Sequence, residues 1–332
     1  MSSQALAIEI TADAIRIGER FAVTFQRTLR VPDDGKTYPL PPGLGRLPVV
    51  PLSRFAERLP AAWRERDGAM IPLYQREALW LGFHAARWKP NAVKVAVGGI
   101  NAISGDHHDD RLRGNPQDYM VCPPQFWLDG IHTRGGSVRQ FVAMPLGEGY
   151  TVEASLTGGE TVGGLQISVF EPKPGRFPDQ PPPSLDRGPD RMSSPGGGAA
   201  MGLGAGGTIR QKIYPDPYPL DTWDPDHRGT VFVHILNAAQ YRAITEQAPP
   251  PSPVDAALYT RHGLPWFELY DDSLEDVPPS DALQGATTIA ERDVERGIPP
   301  ASESFDIATG QIETVRHPEQ RGPPRQRSRK RP

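Results

Sequence analysis

Along this chain the apolar residues recur with period two far more often than with the period of a helix. The run "IRIGERFAVTFQRTLRV" (15–31) alternates in parts and is rich in β-formers, then meets "PDDGKTYPLPPGLG", a dense set of turn signals. Short apolar or alternating runs bounded by Gly, Pro and Asp follow. They are "LPVVPL" (47–52), "AVKVAVGG" (92–99), "DYMVC" (118–122), "VRQFVAMP" (138–145) and "GGLQISVFEP" (163–172). After a gap come "TIRQKIY" (208–214) and "GTVFVHIL" (229–236). Three segments read as short helices: "SRFAERLPAAWRER" (53–66) opened by Ser53, "NAAQYRAITEQ" (237–247) with Asn237 at its N-cap, and "PVDAALYTRHG" (253–263) ended by Gly263. "QREALWLGFHAARW" (75–88) fits both states, since its Ala and Leu favour helix and its aromatic spacing suits a strand. The pattern predicts a mainly β fold, an antiparallel β-sandwich or barrel-like sheet with a few short helices; an α+β arrangement stays open.

Composition changes this picture in two places. Hydrophobic residues make up 37% of the 332 residues, and there are 38 prolines and 34 glycines, so part of the chain is not expected to pack. Residues 172–207 are about half Pro and Gly, which predicts a flexible insert that cannot repay its ordering entropy. The expected organisation is a β-rich body over 1–171, the insert over 172–207, and strands and short helices over 208–274 that complete the same body. A disordered tail is expected over 275–332, acidic first and then basic. A net charge of −4 gives no general attraction to nucleic acid or anionic lipid. The terminal "RGPPRQRSRKRP" is the exception, and there only weak, salt-sensitive phosphate contacts are expected. With one cysteine, Cys122, no intrachain disulfide forms. No run approaches the length of a transmembrane segment and no secretory leader is evident, so a cytoplasmic location is expected.

Candidate chemistry begins with "GDHHDD" (105–110). His107, His108, Asp109 and Asp110 are residue types that ligate a divalent metal ion, but neighbouring side chains on a strand point to opposite faces. None of the HExxH, CxxC or EF-hand spacings occurs, and a solvated turn is the preferred reading, with no cofactor implied. Gly202, Gly204 and Gly207 satisfy the spacing G-x-G-x-x-G. The strand before and helix after that a dinucleotide site requires are missing from the pattern. Cys122 sits in a strand-like run, where a buried, inert thiol is expected. No pair of carboxylates is singled out by spacing. The richest constellation is "QDYMVCPPQFWLDGIHTRGGSVRQF" (117–141), whose Trp127, Asp129, His132, Arg134 and Arg139 fall around turns between strands. An aromatic face that stacks, beside an acid and a base that orient, suits a sugar or another small polar ligand. Against it stands the plainer reading that Trp127 is core and Asp129–Gly130 a turn.

Several stretches together carry a resemblance: "FQRTLRVPDDGKTYPLPPGLG" (25–45), "GGINAISG" (98–105), "QDYMVCPPQFWLDGI" (117–131), "VRQFVAMPLGEGYTVEASLTG" (138–158), "MGLGAGGTIRQKIYPDPY" (201–218) and "YTRHGLPWFELYDD" (259–272). They resemble a family of uncharacterised proteins from bacteria and fungi over about residues 20–272, apart from the insert. The resemblance implies that the parts on either side of the insert form one unit, and it brings no catalytic or binding residues. Three functional readings follow. The favoured one is a non-catalytic β-rich module that binds a polar small molecule or a protein through its loops. The second is a metal-dependent, hydrolase-like enzyme using the His107/His108 region. The third is a structural or assembly protein.

Overall fold

The computed structural model describes residues 5–60, 63, 68–181, 198–251, 255–261, 263–268, 275–299 and 304–314. Ten strands carry the body. In chain order they are β1 (Ile8–Ile10), β2 (Ala14–Ile17), β3 (Phe21–Thr28), β4 (Ala78–Ala85), β5 (Asn91–Val97), β6 (Met120–Cys122), β7 (Ser137–Pro145), β8 (Leu165–Pro172), β9 (Gly198–Arg210) and β10 (Trp223–Asn237). They form an antiparallel ladder in the spatial order β1-β2-β3-β4-β7-β9-β10-β8-β5-β6. With shorter strands added, the sheet holds seventeen strands and is not closed into a barrel. The fold is therefore mainly β, as the alternation predicts.

The ladder wraps around a single large core. Phe25 and Leu81 from one half of it share a cluster with Val95, Ile167 and Val233 from the other. The two halves bury their inward faces against each other. β5 and β8 are covered on both faces, with every residue of each buried. All seven residues of β5 are buried, because β6 and β8 occupy its edges and layers cover both faces. That burial includes Lys94, which is 0% exposed, and a charge there must be paired. Its ammonium lies 2.8 Å from both Asp109 and Asp118 and donates to the Arg111 carbonyl at 2.6 Å.

Short helices cap the sheet: α1 (Val152–Thr157), α2 (Ala238–Thr245), α3 (Ala256–Arg261), α4 (Asp281–Gln284) and α5 (Ile289–Glu295). Asn237 caps α2 as expected, its side chain accepting from the Ala239 amide. The segment opened by Ser53 is instead a 3-10 helix over Leu52–Arg58 without a side-chain cap. Of "LPVVPL", only Val50–Pro51 is a strand. The undecided 75–88 run contains β4, held by full pairing with β3. Helix α1 has no counterpart among the predicted elements. No helix among the described residues is long and apolar enough to cross a membrane.

Two expected boundaries move. Of the Pro/Gly-rich insert, 182–197 lie outside the described residues, while 198–207 form the first part of β9 rather than a flexible linker. Met201, Leu203 and Ala205 alternate into the core, and the intervening glycines admit close neighbours. A Cβ at Gly204 would meet the Tyr150 carbonyl oxygen at 2.8 Å, and one at Gly207 the Pro32 carbonyl oxygen at 2.0 Å. The acidic stretch after 275 also belongs to the fold. Val277, Leu283 and Ala286 join the main core, and Ile289 is fully buried. Asp293 accepts two 2.7 Å bonds from Arg76 and one of 2.8 Å from the Tyr150 hydroxyl. Apolar side chains spaced along a polar segment dock it where composition alone predicts a tail. The basic run 315–332 lies outside the described residues.

Candidate functional site

The cross-strand pairing of β4 sets up a cleft walled by aromatic rings. The two-residue strand Trp127–Leu128 pairs antiparallel with β4, Trp127 opposite Gly82. Since Gly82 has no side chain, Trp127 faces the diagonal neighbour two residues along, Trp80, on the same side of the sheet. The loop after β3 then crosses this face. Gly43 lets the chain run so close to Trp80 that an added Cβ would lie 3.2 Å from its ring. Phe267 is fixed beside the loop by two backbone bonds with Leu40, of 2.8 and 2.9 Å. The result is a cleft of about 250 Å³ walled by Pro41, Pro42, Trp80, Trp127 and Phe267, with Asp129 at its base. Both indoles are half-buried, so ring surface remains open to solvent.

Asp129 is 2% exposed. Gln211, following β9, grips it twice. The Gln211 amide donates to the carboxylate at 2.9 Å, and the Asp129 backbone N–H donates to the Gln211 side-chain oxygen at 2.9 Å. The Trp127 side chain also lies close enough to favour the charged form of the carboxyl. Burial pushes the Asp129 carboxyl up to about 7, against the opposing pull of Gln211 and Trp127, and no charged side chain among the described residues offsets it. Each carboxylate oxygen has room for more than one donor, so acceptor capacity remains. A carboxylate that ionises near neutrality between aromatic faces can hold a positive or hydrogen-bond-donating group.

Only two of the five residues expected to form a ligand site meet in this cleft, Trp127 and Asp129. His132 is 0% exposed and turned away, its Nε2 3.2 Å from both Asp276 oxygens. Arg134 is exposed and paired with Asp281 at 2.8 Å. Arg139 donates to the Ala286 carbonyl at 2.5 Å. Two of these three side chains bond to the stretch 275–299 and the third pairs with it, so they help to dock that segment. Trp80, Gln211, Pro41 and Pro42 were not among the expected site residues. Phe267 lines the cleft, while its neighbour Trp266 is fully buried.

The four metal candidates are not gathered either. His107 is exposed, and His108 places Nε2 3.3 Å from the Ser168 hydroxyl. Asp109 pairs with Lys94 and Arg113, and Asp110 with Arg228 at 2.8 Å. Hydrogen bonds from Arg113 and Lys94 outweigh partial desolvation and hold the Asp109 carboxyl well below the usual range. Among the described residues no group of three or more His, Cys, Asp or Glu side chains is placed to hold a metal ion. The stretch is a polar turn, and its Asp109 helps neutralise the buried Lys94. A larger cavity of about 420 Å³ does adjoin His107 and His108. Its one carboxylate, Glu153, is consumed by the backbone amides of Thr161, Val162 and Gly163 at 2.7–2.9 Å. Gly202, Gly204 and Gly207 lie inside strand β9, with no helix N-terminus behind them. Cys122 is a buried free thiol, pushed far up by desolvation. No family model, curated protein or solved structure matches this chain.

Proposed function

We propose that the chain is a non-catalytic binding module whose cleft between Trp80 and Trp127 takes a small organic ligand by an apolar face. One observation carries the reading: two indoles with open surface converge over a buried carboxylate that has no charged partner among the described residues. Trp127 packs one side against the cluster that holds Trp266, but unlike Trp266, at 0% exposure, it keeps part of its ring open to solvent. A volume of about 250 Å³ is at the small end for ligand pockets, so a group of a few heavy atoms fits better than a large cofactor. No nucleophile, base pair or metal set adjoins the cleft among the described residues, which favours binding over turnover.

Ligand-observed NMR on the full chain tests this, with a panel of sugars, small aromatic compounds and quaternary ammonium ions. Saturation transfer to at least one class is expected, lost in Trp80→Ala and in Trp127→Ala while both variants keep their thermal transition. Absence of binding across the panel, or binding untouched by both substitutions, would overturn the proposal. So would turnover of any panel compound that disappears in Asp129→Ala.

A further inference from the structure

We infer that the ligand of this cleft is a free organic cation, an alkylated ammonium group seated on the faces of Trp80 and Trp127 with Asp129 as its counter-charge. This rests on the binding reading above and narrows it to one chemical class. The geometry supports it in three ways.

First, among the described residues Asp129 has no cation of its own. Its carboxylate accepts from the neutral Gln211 amide. The charged and titratable groups on the surrounding elements are engaged elsewhere. His132 is on Asp276, Arg139 on the Ala286 carbonyl, Arg27 on Glu77 and His84 beside Thr24. Arg210 and Glu268 line another cavity, which Phe267 also borders, and Lys212 packs along Gly136. A buried negative charge without compensation is a vacancy for a positive one.

Second, the walls suit a cation that cannot donate hydrogen bonds. Indole faces carry negative charge and attract alkylated ammonium groups, for which water competes weakly.

Third, no lysine or arginine among the described residues lines the cleft. A phospholipid headgroup would bring a phosphate with nothing to receive it, which favours a free molecule over a membrane surface.

Burial keeps the Asp129 carboxyl protonated below about 7, so the site is expected to be charged only above neutrality. Cation binding should therefore strengthen as pH rises and then level off.

The test is calorimetric titration of the full chain with choline and with its neutral isostere 3,3-dimethyl-1-butanol, in wild type and Asp129→Asn. In wild type, choline should bind at least about tenfold more tightly than the alcohol well above neutrality. Its affinity should fall about tenfold per pH unit below about 7. Asp129→Asn should remove both the preference and the pH dependence while still taking up the alcohol. Phosphatidylcholine vesicles should not carry the chain into the pellet. Equal affinity for the two probes, or a choline preference that survives in Asp129→Asn, overturns the cation while leaving the cleft intact. Failure of every neutral and charged probe overturns the cleft reading itself, and sedimentation with vesicles overturns the free-molecule assignment.

Discussion

Replacing Asp129 with Asn should change how the stability of this protein depends on pH. The Asp129 carboxyl sits near 7 in the folded chain against an ordinary value of 3.8. Between those values the folded state holds a proton that the unfolded state releases, so stability falls as pH rises through the window and is flat above it. At about 1.4 kcal/mol per unit, the folded protein loses about 4 kcal/mol across the window. About 3 kcal/mol of that lies between pH 5 and pH 8.5. Asn keeps an oxygen for the Gln211 amide and carries no charge, so Asp129→Asn should escape this loss. Urea denaturation followed by tryptophan fluorescence at the two pH values measures it, with the slope against urea checked for constancy. Glu77 and Asp33, also raised by burial, titrate in both proteins and cancel in the comparison. Wild type should lose about 3 kcal/mol more than the variant on going from pH 5 to pH 8.5. Parallel pH profiles, agreeing within about 0.5 kcal/mol, would refute the claim that an uncompensated carboxylate lies beneath the cleft. A loss of this size at a position that packing could fill with an apolar residue is the mark of a site kept for function.

Other perturbations probe the scaffold. Gly207→Ala should destabilise by about 3 kcal/mol or more, because its Cβ would overlap the Pro32 carbonyl; a thermal transition within about 2 °C of wild type would contradict that contact. Lys94→Met should cost about 3 kcal/mol by stranding Asp118, which is 1% exposed and, among the described residues, keeps Arg113 alone as a cationic partner. Chemical denaturation should then show Lys94→Met/Asp118→Leu to be more stable than the single variant, and no recovery would argue against a buried pair. Asp293→Ala removes two bonds from Arg76 and one from Tyr150, so hydrogen exchange should accelerate across α5 while β10 stays protected. Uniform acceleration through the sheet would show that α5 is not a separately released element.

Much of this architecture is written locally in the chain. Alternation in "FAVTFQRT" makes a strand wherever one face can be buried, and β3 follows it. Asn237 before an Ala-rich run caps a helix because its side chain reaches the orphan amide within two residues. Trp127 and Asp129, two positions apart, were legible as a site because an aromatic and an acid beside a turn need no distant partner to be noticed. Glycine shows where such reading fails. In "MGLGAGG" the same residue that raises the entropy of an isolated segment also allows Tyr150 and Pro32 to approach β9, and only the neighbours decide which effect wins. The acidic stretch after 275 failed similarly, since its few apolar residues gain a core only once the sheet exists to receive them.

What the sequence by itself determined is therefore the set of strands and caps, the mainly β character, and half of the candidate site. What only the tertiary structure decided is the company those residues keep. Trp80 lies forty-seven positions before Trp127, and Gln211 is separated from Asp129 by 82 residues. Both arrive through pairing of strands distant in the chain. It also decided that His132, Arg134 and Arg139 serve the 275–299 segment, and that Asp109 serves Lys94. Periodicity, capping and turn preference act between near neighbours. The choice of strand partners depends on the free energy of the whole folded chain, which no local pattern encodes.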